Sequence, residues 1–233
     1  MSGLRHLLIG GLVAGALVGA TAEGGSVRID STGGVFVVPV TSMAELRWDT
    51  VVRQAYDYSC GAAAVATLLT YHYDRRTPEE TVFGAMFDVG DREAIRAHGF
   101  SMWDMKQYLD AQGLRADGFR VSLDKLAAIG VPGIAMIETD GYKHFVVIKG
   151  IDRDKVLVGD PARGLTVYPL EEFQSLWNGA VVAARAEVRT ARRHFNDDRD
   201  WRVLPRAPLG DGVKRDGPGD FLFLLPGRNE FGG

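Results

Sequence analysis

The sequence predicts an α+β protein in which a helical half precedes an antiparallel sheet. Two observations carry this. Between residues 61 and 128, segments of helical length are bounded by Ser, Thr and Pro at their starts and Gly at their ends. Beyond Pro132 the periodicity changes to short Val- and Ile-rich runs separated by Gly, Asp and Lys turns. At 233 residues, 46% hydrophobic and 24% charged, the chain is long enough for one domain with a sizeable core.

Residues 1–22 stand apart in composition. Arg5 and His6 precede an apolar run from Leu7 to Val18, and Ala20-Thr21-Ala22 leads into Glu23. This is the pattern of a secretory signal peptide cleaved after Ala22. The run is shorter than the roughly 20 residues that span a bilayer and contains Gly10, Gly11 and Gly15. Residues 23–50 read as an N-terminal extension. Alternation from Ser26 to Val40 around Gly33-Gly34 predicts a hairpin, with Pro39 confining its second strand to an edge. A short helix is expected within residues 42–52, packing Leu46 and Trp48.

Residues 51–188 hold the main domain. Helices are expected at 61–73, at 78–86 with a Thr77–Glu80 capping box around Pro78, and at 102–112 with a Ser101–Asp104 box and Gly113 as the stop. A shorter helix covers 123–128, ended by Gly130. Strands follow at 133–139, 145–151, 155–159 and 165–168, then a helix from Pro169 to Trp177 and a last strand at 180–188. Residues 189–233 form a polar, Pro- and Gly-rich extension whose apolar pentad Phe221–Leu225 is expected to dock back as a strand.

A net charge of −3 supplies no electrostatic footprint for nucleic acid, and the basic stretch Ala191–His194 runs into Asp197 and Asp198 as a solvated surface would. No cluster of His, Cys, Asp or Glu has metal-ligand spacing, so neither a metal nor another cofactor is expected. The chain has a single cysteine, Cys60, and an exported protein has no internal partner for it. It is a mixed-disulfide site, a buried hydrophobe or a nucleophile. Its place where a polar loop becomes a small, apolar helix would suit a reactive thiol, because a helix N-terminus lowers a thiol pKa, but a lone cysteine is by itself more often a small buried core residue.

A nucleophilic thiol needs a base. His72 shares the cysteine's helix, about 18 Å along its axis, and is out of reach. His98 lies in a Gly-containing loop and His194 in the charged tail, neither with an apolar frame to orient it. His144 opens a Val-rich strand that returns through Asp152-Arg153-Asp154 to Asp160. If Ile151 faces Lys155, Asp160 faces Val146, and His144 is one diagonal step from Asp160 on the same face. A carboxylate there would orient the imidazole. Gln54, six residues before Cys60, could join the Cys60 backbone N–H as an oxyanion donor.

These residues resemble the papain-like cysteine peptidases that remove double-glycine leaders from bacteriocins. Gln54, Cys60-Gly61-Ala62-Ala63, His144-Phe145-Val146-Val147 and Asp160-Pro161 carry the resemblance in matching order and spacing, from about Val51 to Ala184. It implies a papain-like fold whose helical half carries the cysteine and whose antiparallel sheet carries the histidine and aspartate. It implies Cys60 as nucleophile, His144 as base, Asp160 as orienting group and Gln54 in the oxyanion hole. The resembling peptidases are often fused to export transporters, whereas this chain lacks transporter helices and ATP-binding motifs and has an export signal. In that respect it is similar to the peptidase-like component of the functional-amyloid (Fap) secretion system of Gram-negative bacteria. That similarity implies a periplasmic location, with amyloid subunits or an outer-membrane export pore as partners. The competing expectations are an escort module that grips substrate without cutting it and a papain-like amidase.

Overall fold

The structure is a computed structural model and describes residues 25–31, 34–39 and 41–204. The expected signal peptide and the pentad Phe221–Leu225 lie outside those residues. The chain divides after Ser42 into two compact units. In the first, β1 (Ser26–Ser31) and β2 (Gly34–Pro39) pair as the expected antiparallel hairpin, with Ser31 opposite Gly34.

The second unit begins with α1 (Met43–Trp48), followed by α2 (Cys60–His72), α3 (Glu79–Val89), α4 (Arg92–His98) and α5 (Met102–Ala111). Then come β3 (Ala116–Arg120), α6 (Leu123–Ile129), β4 (Gly133–Thr139), β5 (Tyr142–Asp152), β6 (Lys155–Asp160) and β7 (Gly164–Pro169). The described chain closes with α7 (Leu170–Leu176), β8 (Trp177–Ala184), α8 (Val188–Arg193) and α9 (Asp198–Trp201). Six strands form one sheet in the order β3-β8-β4-β5-β6-β7, antiparallel throughout.

The central helix is α2, packed between α3 and β5. Its run of alanines is buried on every side, as a helix without a polar face must be, and small side chains allow that close approach. The sheet is covered on both faces. Ile134, Val147 and Val182 join the α2, α3 and α5 core, while their neighbours Ala135, Val146 and Val181 join a second core with α6, α7 and Phe195. This two-sided burial explains why β5 reads as a continuous apolar run.

Several expectations need correction. The β5–β6 turn is tighter than the three-residue loop expected: Asp152 pairs with Lys155, and Arg153 takes the left-handed conformation at φ 49°. The register near the turn is therefore shifted by one from Ile151 facing Lys155. A bulge at Lys149, between the pairs Ile148–Val158 and Gly150–Leu157, shifts it back so that Val147 faces Gly159. The two departures cancel before the strand reaches His144, which lies inside β5 rather than at its start.

Thr77 does not cap α3, since its hydroxyl donates to the Arg75 carbonyl and Pro78 holds the N-cap position. The Ser101–Asp104 capping box is present. Helix α4 and strand β3 were not expected. Asp91 caps α4 by accepting the Glu93 and Ala94 N–H groups, so His98 ends a helix rather than sitting in a loop. Strand β3 is a mostly exposed edge strand whose polar composition hides it from pattern reading. Strand β8 stops at Ala184, and residues 188–204 form α8 and α9, which bury Ala191, Phe195 and Val203 against the domain. The basic stretch Ala191–His194 is thus partly core.

Strand β4 starts at Gly133, where an added Cβ would fall 2.4 Å from Val181 Cγ2 and 3.1 Å from the Val182 carbonyl oxygen. Both belong to β8 in the sheet centre, where the backbone has no room to retreat. Gly133→Ala should destabilise the protein by about 1–3 kcal/mol, read as a lower urea midpoint at unchanged slope.

Candidate active site

Cys60 is the first residue of α2, one earlier than expected, and is 7% exposed. Ser59 stands at the N-cap, a position where serine usually bonds the first-turn amides. Here its hydroxyl turns back, donating to the Tyr56 carbonyl at 2.9 Å and accepting the Tyr56 N–H at 3.1 Å. It makes no cap bond to α2. The first-turn N–H groups thus keep their capacity to bind a negative oxygen beside the sulfur. Gly61 makes room for the neighbouring wall, since a Cβ there would meet Phe100 Cβ at 3.1 Å.

His144 is brought over from β5. Its Nε2 lies 2.7 Å from Asp160 Oδ1, and Asp160 is 1% exposed. The same carboxylate oxygen accepts the backbone N–H groups of Ala162 at 2.8 Å and Arg163 at 3.2 Å, so the turn into β7 fixes its orientation. Burial pushes the Asp160 pKa up, but the contact with His144 and the two N–H groups outweigh it and hold the carboxyl below its ordinary value. Burial likewise pushes His144 down, yet the Asp160 hydrogen bond and the nearby Cys60 raise it to about 9. The carboxylate on one side and the sulfur on the other thus favour the charged form of the imidazole. Its other nitrogen, Nδ1, is buried without a hydrogen-bond partner. With Nε2 committed to Asp160, Nδ1 is the nitrogen open to the thiol.

Gln54 lies in the strap between α1 and α2. Its side-chain Nε2 donates to the Tyr56 carbonyl at 3.0 Å, which fixes the amide plane and leaves one N–H for another acceptor. Its backbone N–H donates to the Pro161 carbonyl at 3.0 Å, tying the strap to the residue after Asp160. Ala55 N–H donates to the buried Glu79 carboxylate at 3.2 Å.

The structure thus brings Cys60, His144 and Asp160 together and places Gln54 in the loop that leads to the cysteine. His72 is wholly buried on α2, its pKa driven well below the ordinary value by burial and by the Lys149 charge. His194 ends α8 and pairs with Asp74 at 2.9 Å. His98 lines the same groove as Cys60, a placement hidden in the sequence because α4 was not anticipated. That groove has a volume of about 540 Å³ and runs between the Asp57–Cys60 loop, the α4–α5 junction and Tyr142. Tyr142 was also missed. Its ring stacks beside His144 at 6.1 Å between centroids, and its hydroxyl donates to the Asp57 carbonyl at 3.3 Å. Its position two residues before His144 on one strand face was the available signal.

The profile of the peptidase C39 family matches residues 49–188. The Pseudomonas aeruginosa protein named "Probable functional amyloid protease FapD" is 43% identical over 151 residues, covering 65% of this chain and 67% of that protein. Its Pseudomonas fluorescens namesake is 40% identical over 155 residues, covering 66% and 69%. Among solved structures, a double glycine motif protease from an AMS/PCAT transporter, in complex with the leader peptide, is 30% identical with a TM-score of 0.47. That similarity covers 57% of this chain and 88% of the other. With its helical half, its antiparallel sheet and a match over most of its length, the chain belongs to the peptidase C39 family and has its α+β, papain-like fold.

Proposed function

We propose that the chain is a periplasmic cysteine peptidase that processes proteins exported by a functional-amyloid system. The observation that carries the reading is His144 set between Asp160 and Cys60 at the uncapped end of α2. Cys60 Sγ attacks the scissile carbonyl carbon, and the oxygen takes the negative charge. The Cys60 backbone N–H and the free N–H of Gln54 receive that oxyanion. His144 then gives its proton to the departing amine as the C–N bond breaks, leaving a thioester. Water attacks the thioester, His144 takes the water's proton, and the acid product leaves as the thiolate re-forms. The functional-amyloid role is supported by the similarity to the Pseudomonas proteins named FapD. The periplasmic location is supported by the composition of residues 1–22.

Three measurements test this reading. In cleavage of a fluorogenic peptide amide with Gly-Gly before the scissile bond, Cys60→Ala should abolish turnover and His144→Ala should cost nearly as much, because members of one constellation are non-additive. Asp160→Asn should cost less, and Gln54→Ala should lower kcat about 10²–10³-fold with KM little changed. Cys60→Ala protein that cleaves like wild type would defeat the peptidase reading and favour the escort.

The pH profile follows from His144. Its proton, needed by the leaving amine, is lost as pH rises through about 9, so kcat/KM should fall about tenfold per unit above that point. Asp160→Asn removes the carboxylate charge that helps raise the pKa, so the falling limb should move to lower pH. Finally, mass spectrometry of the periplasmic fraction should find Glu23 as the first residue. A protein that retains Met1 and sediments with membranes would contradict the export reading.

A further inference from the structure

One buried polar cluster joins the bulge of β5, the start of the Gln54 strap and a helix beyond the family match. Lys149, the bulged residue, is wholly buried. Its Nζ donates to the Thr50 carbonyl at 2.8 Å and to Thr50 Oγ1 at 3.0 Å, and pairs with Asp200 Oδ2 at 2.9 Å. Thr50 Oγ1 in turn donates to Asp200 Oδ1 at 2.6 Å. Burial pushes the lysine pKa down, and the Asp200 carboxylate opposes that push.

The segment that supplies Asp200 is fitted to the bulge. Asn196 N–H donates to the Lys149 carbonyl at 3.0 Å, and Asn196 Nδ2 to the Ile151 carbonyl at 2.9 Å. Gly150 leaves space for it, since a Cβ there would fall 2.2 Å from Asn196 Oδ1. Arg199 forks onto both Asp49 carboxylate oxygens, at 2.8 and 2.6 Å. From Thr50 the strap runs through Val52, whose N–H donates to Thr67 Oγ1 of α2 at 2.9 Å, to Gln54, whose N–H donates to Pro161. The start of the strap is thus held by a directional, buried ion pair in addition to the apolar contacts of Val51 with Leu157, Leu165 and Val203. Such a pair is seldom worth more in stability than apolar residues of the same volume. What it supplies is one fixed orientation of the Thr50 peptide.

We propose that Lys149, Thr50 and Asp200 are positioning residues: the C-terminal segment, through Asp200, holds the strap so that Gln54 meets the oxyanion at Cys60. The kinetic part of this inference rests on the peptidase reading of Gln54. The coupling between Asp200 and the strap does not.

The test uses the full chain. Asp200→Asn should raise amide hydrogen exchange at Val52–Ala55 while α2 and β4 keep their protection. Against the Gly-Gly peptide amide it should lower kcat about 10- to 100-fold at unchanged KM. Combined with Gln54→Ala it should lose no more than Gln54→Ala alone. Alkylation of Cys60 by iodoacetamide, which forms no oxyanion, should keep its rate. The triple variant Lys149→Met, Thr50→Val and Asp200→Leu removes every side-chain polar group of the cluster, leaving no buried charge and only the Thr50 carbonyl without its donor. It should therefore stay folded and still show the loosened strap and the lowered kcat. Unchanged exchange at Val52–Ala55, additive losses with Gln54→Ala, or slower alkylation would each overturn the proposal. If the strap loosens but wild type cleaves no peptide, the coupling stands and the peptidase reading falls.

Discussion

The bulge at Lys149 is the constraint on which the site depends. One extra residue in β5 resets the strand register between the turn and His144, and a one-residue slip there would send His144 to the opposite face of the sheet. The same bulge turns a lysine into the core, where Asp200 and Thr50 must satisfy it. The His144–Asp160 contact and the anchoring of the Gln54 strap thus share one origin in the backbone. Removing either partner of the buried pair would leave a charge without compensation, so Lys149 and Asp200 each require the other in place.

Around this frame, burial sets the electrostatics. The interior would strip His144 of its proton, yet the Asp160 carboxylate and the neighbouring Cys60 reverse the effect and raise its pKa to about 9. His72, more deeply buried and facing the Lys149 charge with no carboxylate against its ring, is driven the other way. The two histidines are therefore shifted in opposite directions, His72 by burial and a nearby cation and His144 by its anionic neighbours. Asp160 can serve because backbone N–H groups of the following turn share the load of keeping it ionised.

Much of the helical half was legible. The Ser101–Asp104 capping box, the Gly130 stop and the small-residue run of α2 are local signals that survive in the folded chain. Local rules failed where tertiary contacts claimed the same groups. Thr77 was occupied by Arg75 and Thr70, so it could not cap α3. Ser59 was turned to Tyr56, so it left the N-terminus of α2 open. Strand β3 carries no alternation because an exposed edge strand has too little buried face to require it.

The sequence alone singled out the candidate residues, because a single cysteine at a helix start and a histidine and aspartate on one ribbon face follow from local pattern and strand period. It also determined the α+β order and the central helix, since a run of alanines with no polar face must be buried. Only the tertiary structure decided the β5 register, because a tight turn and a bulge offset each other and neither has a composition of its own. It alone decided that residues 188–204 belong to the domain. Asp200 and Lys149 are far apart in the chain, and nothing local marks either as needing a partner until the fold withdraws both from water.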